Sequence, residues 1–186
     1  MSAEAKIDAH WGKGGLAEAI LAALESAGLD PDNLAPGDLV PMEHLHGRGA
    51  EATRELLAIL SPGPDTHLLD IGSGIGGPAR MAASQYGARV TGVDLTQEFC
   101  DVAEMLCERV GLGDLITIRQ GNALDLPFED MSFDGAYSQN VSMNIEDKEA
   151  FYAEAFRVLR LGGLFVAAEY AEGPGGAPVF PVPWAL

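Results

Sequence analysis

The 186-residue chain is long enough for one domain with a proper core and not for two. Apolar residues make up 47% and charged residues 21%, which excludes a disordered or fibrous protein. The formal net charge of -17 would repel phosphate backbones and anionic membrane surfaces, so we expect neither nucleic acid nor membrane as a partner. A neutral or cationic small molecule fits this charge better.

Targeting and redox signals point to the cytoplasm. The first residues lack a basic stretch followed by an apolar core, and no apolar run approaches the ~20 residues that span a bilayer. Cys100 and Cys107 are seven residues apart in a helical pattern, about 10 Å along the axis, which is too far for a disulfide. We therefore expect buried free thiols in a cytoplasmic protein.

Residues 1–60 predict a helical N-terminal segment. Apolar side chains recur at helical spacing over 16–24 and again over 50–60. Between them, residues 30–41 hold three prolines and a glycine, which predicts a loop. A Ser-Pro-Gly-Pro run begins at Ser61 and ends the segment, so a second unit covers residues 61–186.

Strands and helices alternate in this second unit. Predicted strands cover 67–71, 89–94, 115–119, 133–138 and 164–169, with helices at about 77–86, 96–110 and 148–159. Residues 161–163 predict a tight turn into the fifth strand. Repeated units of this length predict an α/β fold, a doubly wound parallel sheet with helices on both faces. Ligands of such sheets bind just after the carboxyl ends of the strands.

The first predicted strand leads into a glycine turn. Asp70 is followed by Gly72, Gly74 and Gly76, and glycine permits positive φ and close approach of a ligand to the backbone. The spacing Gly72-x-Gly74-x-x-Gly77 also fits dinucleotide binding, so an NAD(P)-dependent oxidoreductase is one alternative. However, the Asp70 carboxylate would repel a pyrophosphate, whereas it would attract a ligand with a cationic centre.

The pattern Asp70-x-Gly72-x-Gly74-x-Gly76 resembles the first motif of class I S-adenosylmethionine-dependent methyltransferases. The resemblance extends over about residues 45–186. It implies a Rossmann-like sheet of strand order 3-2-1-4-5, the cofactor S-adenosyl-L-methionine and the product S-adenosyl-L-homocysteine. It also implies that the helical segment covers the cofactor site.

The family sheet usually continues after strand five with an antiparallel hairpin, which this chain lacks before Leu186. We therefore expect either a missing C-terminal segment or a second copy in a homo-oligomer to complete the sheet, because an open edge invites association.

The resemblance assigns the cofactor contacts to the strand ends. Asp94 takes the ribose position with Leu95 beside the adenine, and Asn122 keeps a carbonyl acceptor where the family usually has an acidic residue. Ser138 and Gln139 fall near the amino acid part of the cofactor. The expected cofactor-binding residues are Asp70, Gly72, Ser73, Gly74, Gly76, Asp94, Leu95, Asn122, Ala123, Ser138 and Gln139.

Two further stretches of the sequence indicate which class of acceptor is methylated. The segment from His46 to Thr53, with the glycine turn, is similar to enzymes that methylate small amines or prenylated and sterol-like carbons. Residues 172–185 look closest to sarcosine and dimethylglycine N-methyltransferases. We therefore expect methyl transfer to a small amine. C- or O-methylation of a quinone- or sterol-like acceptor, and a cofactor-binding module without catalysis, are the alternatives.

Few residues are candidates for contact with the acceptor. An unprotonated amine needs no strong base, whereas a carbon or phenol needs a positioned one, and His46 is the candidate catalytic residue. The candidate substrate contacts are Arg48, Tyr137, Glu169 and Tyr170. No group of His, Cys, Asp and Glu has metal-ligand spacing, so we expect no metal.

Overall fold

The computed structural model describes residues 10–44 and 47–170. Three helices come first: α1 (Leu16–Ser26), α2 (Pro36–Glu43) and α3 (Ala50–Leu60). The alternating part then runs β1 (His67–Ile71), α4 (Gly77–Tyr86), β2 (Arg89–Asp94), α5 (Gln97–Arg109), β3 (Ile116–Gln120), β4 (Phe133–Gln139), a 3-10 turn (Ser142–Asn144), α6 (Lys148–Arg157) and β5 (Leu159–Ala168).

The five strands form one parallel sheet in the order β3-β2-β1-β4-β5. The predicted fold class and strand order are therefore confirmed. The central strand β1 pairs with β2 on one side and with β4 on the other. β2 and β3 lie on one side of β1, and β4 and β5 lie on the other. A crevice opens at this switch in strand order, at the carboxyl ends of the strands. Completion of the sheet beyond β5 stays a prediction.

The core lies on both faces of the sheet. Leu68 and Leu69 are neighbours in β1 and join different apolar clusters, since successive side chains of a strand point to opposite faces. The Leu68 cluster includes α3, α4 and α5, and it buries the free thiols Cys100 and Cys107, as the sequence predicted. The Leu69 cluster includes α6 through Phe151. Burial on both faces explains the near-continuous apolar run of β1.

Helix α2 corrects the loop predicted for residues 30–41. Pro36 opens the helix at its first turn, where a missing N–H is tolerated because that group has no partner inside the helix. The Asp38 carboxylate accepts a hydrogen bond from the Ala35 N–H at 2.8 Å and so stabilises the same end. The sequence pattern predicts a loop here because proline is common both in loops and at helix starts. Helices α1 and α2 pack together against α5.

The start of β5 also differs from the prediction. Phe133 pairs with Leu159, and Gly135 already pairs with Leu164, so residues 160–163 bulge out of the strand rather than precede it as a turn. Gly162 takes a φ of +85°, which only glycine adopts without strain. In the parts of the chain that the structure covers, no helix is both long and apolar enough to cross a membrane.

Candidate functional site

A cavity of about 800 Å³ opens in the crevice beyond the strand ends. Its walls come from the N-terminal segment (Trp11), the glycine turn (Gly72, Gly74), the end of β2 and start of α5 (93–96 and Phe99), the loop after β3 (121–124) and the loop after β4 (139–141 and 144–147). Every segment except Trp11 follows the carboxyl end of a strand, as the sequence predicted for a ligand site of this sheet.

The glycine turn lies at the centre of this cavity. Gly72, Gly74 and Gly76 all have positive φ, at +77°, +52° and +83°. A Cβ added to Gly72 would lie 2.2 Å from Cγ2 of Val141, so only glycine fits there. A Cβ on Gly74 would meet no described atom within 4 Å, which leaves the backbone of the turn open towards the cavity. The turn is thus tightly packed on one side and accessible on the other.

Asp70 is buried beneath the turn and is 1% exposed. The Tyr137 hydroxyl faces its carboxyl group, yet neither Asp70 Oδ2 nor Tyr137 Oη completes a hydrogen bond with a described residue. The pKa of Asp70 is raised to about 8: burial raises it most, the Tyr137 hydroxyl opposes the rise, and nearby Asp94 adds to it. Asp70 is therefore neutral at neutral pH without a ligand, and a ligand group of positive charge would favour its ionised form.

Asp94 ends β2 and reaches across to the glycine turn. Its Oδ2 accepts the Gly74 N–H at 2.8 Å, and its Oδ1 accepts the Thr96 N–H at 2.9 Å. Burial raises the pKa of Asp94, and these N–H groups oppose that rise. The carboxylate is therefore fixed in orientation at the cavity wall, and each oxygen keeps a further lone pair for a ligand hydroxyl.

The loop after β3 forms the neighbouring wall. Asn122 Oδ1 accepts the Leu124 N–H at 2.9 Å, which holds the loop in a tight turn. The predicted acceptor oxygen thus already takes part in a hydrogen bond within the protein. Leu124 and Phe99 make this part of the cavity apolar. The Trp11 ring lies 6.3 Å from the Phe99 ring, centroid to centroid, and extends that apolar wall.

The predicted cofactor contacts fall into two groups. Seven line the cavity: Gly72, Gly74, Asp94, Leu95, Asn122, Ala123 and Gln139. Four are absent from its described walls, and all four are buried: Asp70, Ser73, Gly76 and Ser138. These buried residues support the turn and the end of β4 from behind.

The described cavity walls include none of the four predicted substrate contacts. Tyr137 is fully buried, because its position in β4 points the ring into the core cluster of Leu68. Arg48 is exposed and donates two hydrogen bonds of 2.7 Å to the Glu55 carboxylate. Contact of either side chain with an acceptor stays a prediction. His46, the candidate catalytic residue, lies outside the described residues.

The side chains of the remaining two substrate candidates form hydrogen bonds with backbone N–H groups of nearby loops. The Glu169 carboxylate accepts hydrogen bonds from the Ser138 hydroxyl and from the N–H groups of Val141 and Ser142. The Tyr170 hydroxyl accepts the Gly47 N–H at 3.1 Å. The bonds of Glu169 stabilise the loop that lines the cavity, and contact of Glu169 or Tyr170 with an acceptor stays a prediction.

Several wall residues had no signal in the sequence. Trp11 reaches the cavity from a distant part of the chain, and Val141 and Ile145 belong to an irregular loop whose path no periodicity predicts. Within 10–44 and 47–170, no three His, Cys, Asp or Glu side chains are grouped so as to hold a metal ion.

Comparison with known proteins identifies the family to which this fold belongs. A family described as "Methyltransferase domain" matches residues 69–167, which include the glycine turn and the ends of β2, β3 and β4. The chain belongs to this methyltransferase family. The family predicted from the Asp70-x-Gly72 motif is therefore confirmed.

Relatives of this methyltransferase domain include enzymes with different acceptors. The 24-methylenesterol C-methyltransferase 2 of Oryza sativa subsp. japonica is 37% identical over 124 residues, which is 64% of this chain and 34% of that protein. The sarcosine/dimethylglycine N-methyltransferase of Halorhodospira halochloris is 34% identical over 122 residues, 63% of this chain and 44% of that protein. The chain thus spans less than half the length of the curated relatives it matches.

Solved structures agree with the fold. The geranyl diphosphate C-methyltransferase of Streptomyces coelicolor A3(2), in complex with Mg²⁺, geranyl diphosphate and S-adenosyl-L-homocysteine, matches with a TM-score of 0.62 and 29% identity. The match covers 64% of this chain and 45% of that chain. Amine, sterol and prenyl diphosphate enzymes are thus all similar to this methyltransferase domain.

Proposed function

We propose that the protein is an S-adenosylmethionine-dependent methyltransferase that acts on a small-molecule acceptor. The observation that carries this proposal is the placement of Asp70 and Asp94 around an open glycine turn. The fixed Asp94 carboxylate disfavours a pyrophosphate at this turn and favours ligand hydroxyl groups, and a cationic ligand group would favour the ionised form of the buried Asp70 beneath it. S-adenosylmethionine has a sulfonium, an ammonium and a ribose, and no phosphate.

The residues present fit this cofactor. Asp70 lies beneath the turn and outside the described cavity walls, and its carboxyl group would act on the cationic methionine portion through its charge once ionised. The fixed carboxylate of Asp94 suits the ribose hydroxyls, and Leu95 with Ala123 would flank the adenine. When bound, S-adenosylmethionine supplies an electrophilic methyl group. The chain would hold the two reactants at attack distance and exclude water with its apolar wall.

The acceptor that the cavity favours is a small amine. The ionisable side chains of its described walls are Asp94, Glu146 and Asp147, and no lysine or arginine lines those walls. Such a wall attracts an ammonium group and disfavours a diphosphate. An amine in its neutral form attacks with its own lone pair, forming an N–C bond as the S–C bond breaks. A primary or secondary amine then loses a proton to water, whereas a tertiary amine becomes a quaternary ammonium group. No strong base is needed.

A neutral sterol- or quinone-like acceptor is the second candidate. Apolar side chains make up much of the cavity wall, including Trp11, Phe99, Leu124, Val141 and Ile145. C-methylation would leave a proton on carbon that a positioned base must remove. The relative that acts on a sterol, by its name, adds to this candidate.

The contacts of the N-terminal segment support its role as a cover. The Glu98 carboxylate, at the start of α5, accepts the N–H groups of Gly14 and Leu16 at 2.8 and 2.9 Å. These bonds tie the start of α1 to the cavity rim. Trp11 lies just before that point and contributes to the wall. We infer that residues 1–60 close over the bound cofactor.

Calorimetric titration with S-adenosyl-L-homocysteine, with NADH in parallel, tests the cofactor. We expect saturable binding of the first compound and none of NADH. The reverse result would overturn the proposal in favour of an oxidoreductase. Turnover with labelled S-adenosylmethionine and glycine, sarcosine or dimethylglycine then separates an enzyme from a binding module. Methylation of a sterol- or quinone-like compound but of no amine would favour the second candidate.

A further inference from the structure

The loop after β4, residues 140–147, forms one whole side of the cavity. In the sheet order, β4 lies on the opposite side of β1 from β2, so this loop and Asp94 flank the glycine turn from opposite sides. With the ribose at Asp94, the loop faces the end of the cavity that remains for the acceptor. The loop leaves β4 at Asn140, whose φ of +60° is unusual for a residue other than glycine.

One carboxylate holds the beginning of this loop. Glu169 Oε1 accepts the Ser138 hydroxyl at 3.1 Å and the Val141 N–H at 3.2 Å, and its Oε2 accepts the Ser142 N–H at 3.1 Å. The adjacent Ala168 carbonyl accepts the Asn140 N–H at 2.9 Å. The end of β5 therefore satisfies three successive backbone donors, which a strained loop would otherwise leave without protein partners.

One ammonium group holds the other half of the loop. Lys148 Nζ, at the start of α6, donates to the Ser142 carbonyl at 2.7 Å and also to the Ile145 carbonyl. Glu169 thus binds backbone donors of the loop, and Lys148 binds its acceptors. Charged groups make stronger hydrogen bonds than neutral ones do, so this pair fixes the loop more firmly than neutral side chains would.

Val141 connects the bonds of Glu169 to the glycine turn. A Cβ on Gly72 would lie 2.2 Å from Val141 Cγ2, which means that the valine side chain fills the space a side chain at residue 72 would need. The N–H that Glu169 accepts belongs to this same valine. The carboxylate therefore sets the distance between the loop and the turn, where the cofactor and acceptor would meet.

We propose that Glu169 and Lys148 are positioning residues that fix the loop 140–147 as the acceptor-facing wall of the cavity. This inference rests on the proposed function. Neither side chain needs to touch the acceptor, because each acts through the backbone of the loop. Glu169 is thereby given a role different from the substrate contact that the sequence suggested.

The test compares Glu169→Gln and Lys148→Met with Glu104→Gln, which makes the same charge change as Glu169→Gln at an exposed position of α5. Hydrogen exchange reports the loop, and we expect the amides of residues 141 and 142 to exchange about tenfold faster in Glu169→Gln. Binding of S-adenosyl-L-homocysteine and sinefungin is measured in parallel. Sinefungin carries an amino group in the position of the transferable methyl group, so it probes the acceptor side.

We expect both loop variants to weaken the binding of sinefungin about fivefold more than the binding of S-adenosyl-L-homocysteine. In Glu104→Gln the ratio of the two dissociation constants should equal that of the wild-type protein. Faster exchange with an unchanged ratio of dissociation constants would mean that Glu169 stabilises the loop without affecting the acceptor side, and it would overturn the positioning role. Wild-type exchange in Glu169→Gln would overturn the proposal as well. Failure of the wild-type protein to bind either ligand is a separate result, which would overturn the proposed function itself.

Discussion

Arg80 Nη2 lies 2.5 Å from Glu43 Oε2, and the two side chains are only 1% and 2% exposed. Arg80 Nε donates to the same oxygen at 3.0 Å. This ion pair joins α4, the helix that follows the glycine turn, to α2 of the N-terminal segment. Burial raises the pKa of Glu43, and the Arg80 guanidinium opposes that rise. The segment that we propose as a cover is therefore anchored directly to the helix behind the cofactor turn.

Breaking this pair is expected to destabilise the fold strongly. Glu43→Gln leaves the Arg80 charge buried without its partner, and such a loss costs about 3–5 kcal/mol. Urea denaturation of the variant measures the free energy of unfolding. Glu55→Gln is the matched control, because its bonds to Arg48 are exposed to solvent, where an ion pair contributes little to stability. Equal effects of the two substitutions would contradict the stated role of burial.

Asp70 is expected to make stability depend on pH in the direction opposite to that of a salt-bridged acid. In the folded protein its pKa is about 8, against a usual value of 3.8, so folding favours the protonated form. Its contribution is most favourable below about pH 4, is lost as the pH rises towards 8, and is constant above that.

Asp70→Asn removes this dependence and nearly preserves the shape of the side chain. Between pH 5 and 8 the free energy of unfolding of the wild-type protein should fall relative to the variant by up to roughly 4 kcal/mol. Urea denaturation of both proteins at each pH checks the difference, in which the titration of all other groups cancels. Parallel stability curves would mean that Asp70 ionises as an ordinary carboxylate.

The regular part of this molecule could be predicted from the sequence, and the irregular part could not. The bounds of β1 and β2 agree with the apolar runs, because a strand buried on both faces leaves a continuous signal. The glycine turn was found through its spacing. Helix α2 was missed because Pro36 signals a helix start and a loop equally well.

The same distinction applies to the cavity. Asp94 ends one predicted strand and Asn122 comes three residues after another, so the rule of strand ends placed both at the cavity wall. Glu169 also follows a strand, yet its bonds go to the loop after β4, which the sequence pattern does not fix. Trp11 reaches the wall only through the packing of α1 on α5. Positions that depend on tertiary contacts between distant segments leave no local signal.

Asp94→Asn is expected to weaken cofactor binding with the fold intact. The amide keeps one oxygen acceptor for the Thr96 or Gly74 N–H group, but it loses the charge and one of the two acceptors. Hydrogen bonds to charged groups contribute about 1.5–3 kcal/mol, so the dissociation constant of S-adenosyl-L-homocysteine should rise at least about tenfold. Calorimetry measures the constant, and circular dichroism checks the fold. Wild-type affinity would show that the ribose does not lie at Asp94.

Two glycines of one turn are expected to respond differently to the same substitution. Both Gly72→Ala and Gly74→Ala place a Cβ at positive φ, which costs about 1–2 kcal/mol. Only at Gly72 does the new atom also collide with Val141, at 2.2 Å, whereas at Gly74 it meets open space among the described residues. Gly72→Ala must therefore displace the loop after β4 as well.

We expect Gly72→Ala to lower the melting temperature more than Gly74→Ala does, by several degrees for each further kcal/mol. Gly74→Ala should act mainly on the ligand, because its methyl group projects into the open side of the turn and reduces the affinity for S-adenosyl-L-homocysteine. Val141→Ala removes the two methyl groups that Gly72→Ala collides with, so the double variant should recover part of the lost stability. Strictly additive effects of the two substitutions would mean that residue 72 and Val141 do not contact each other as described.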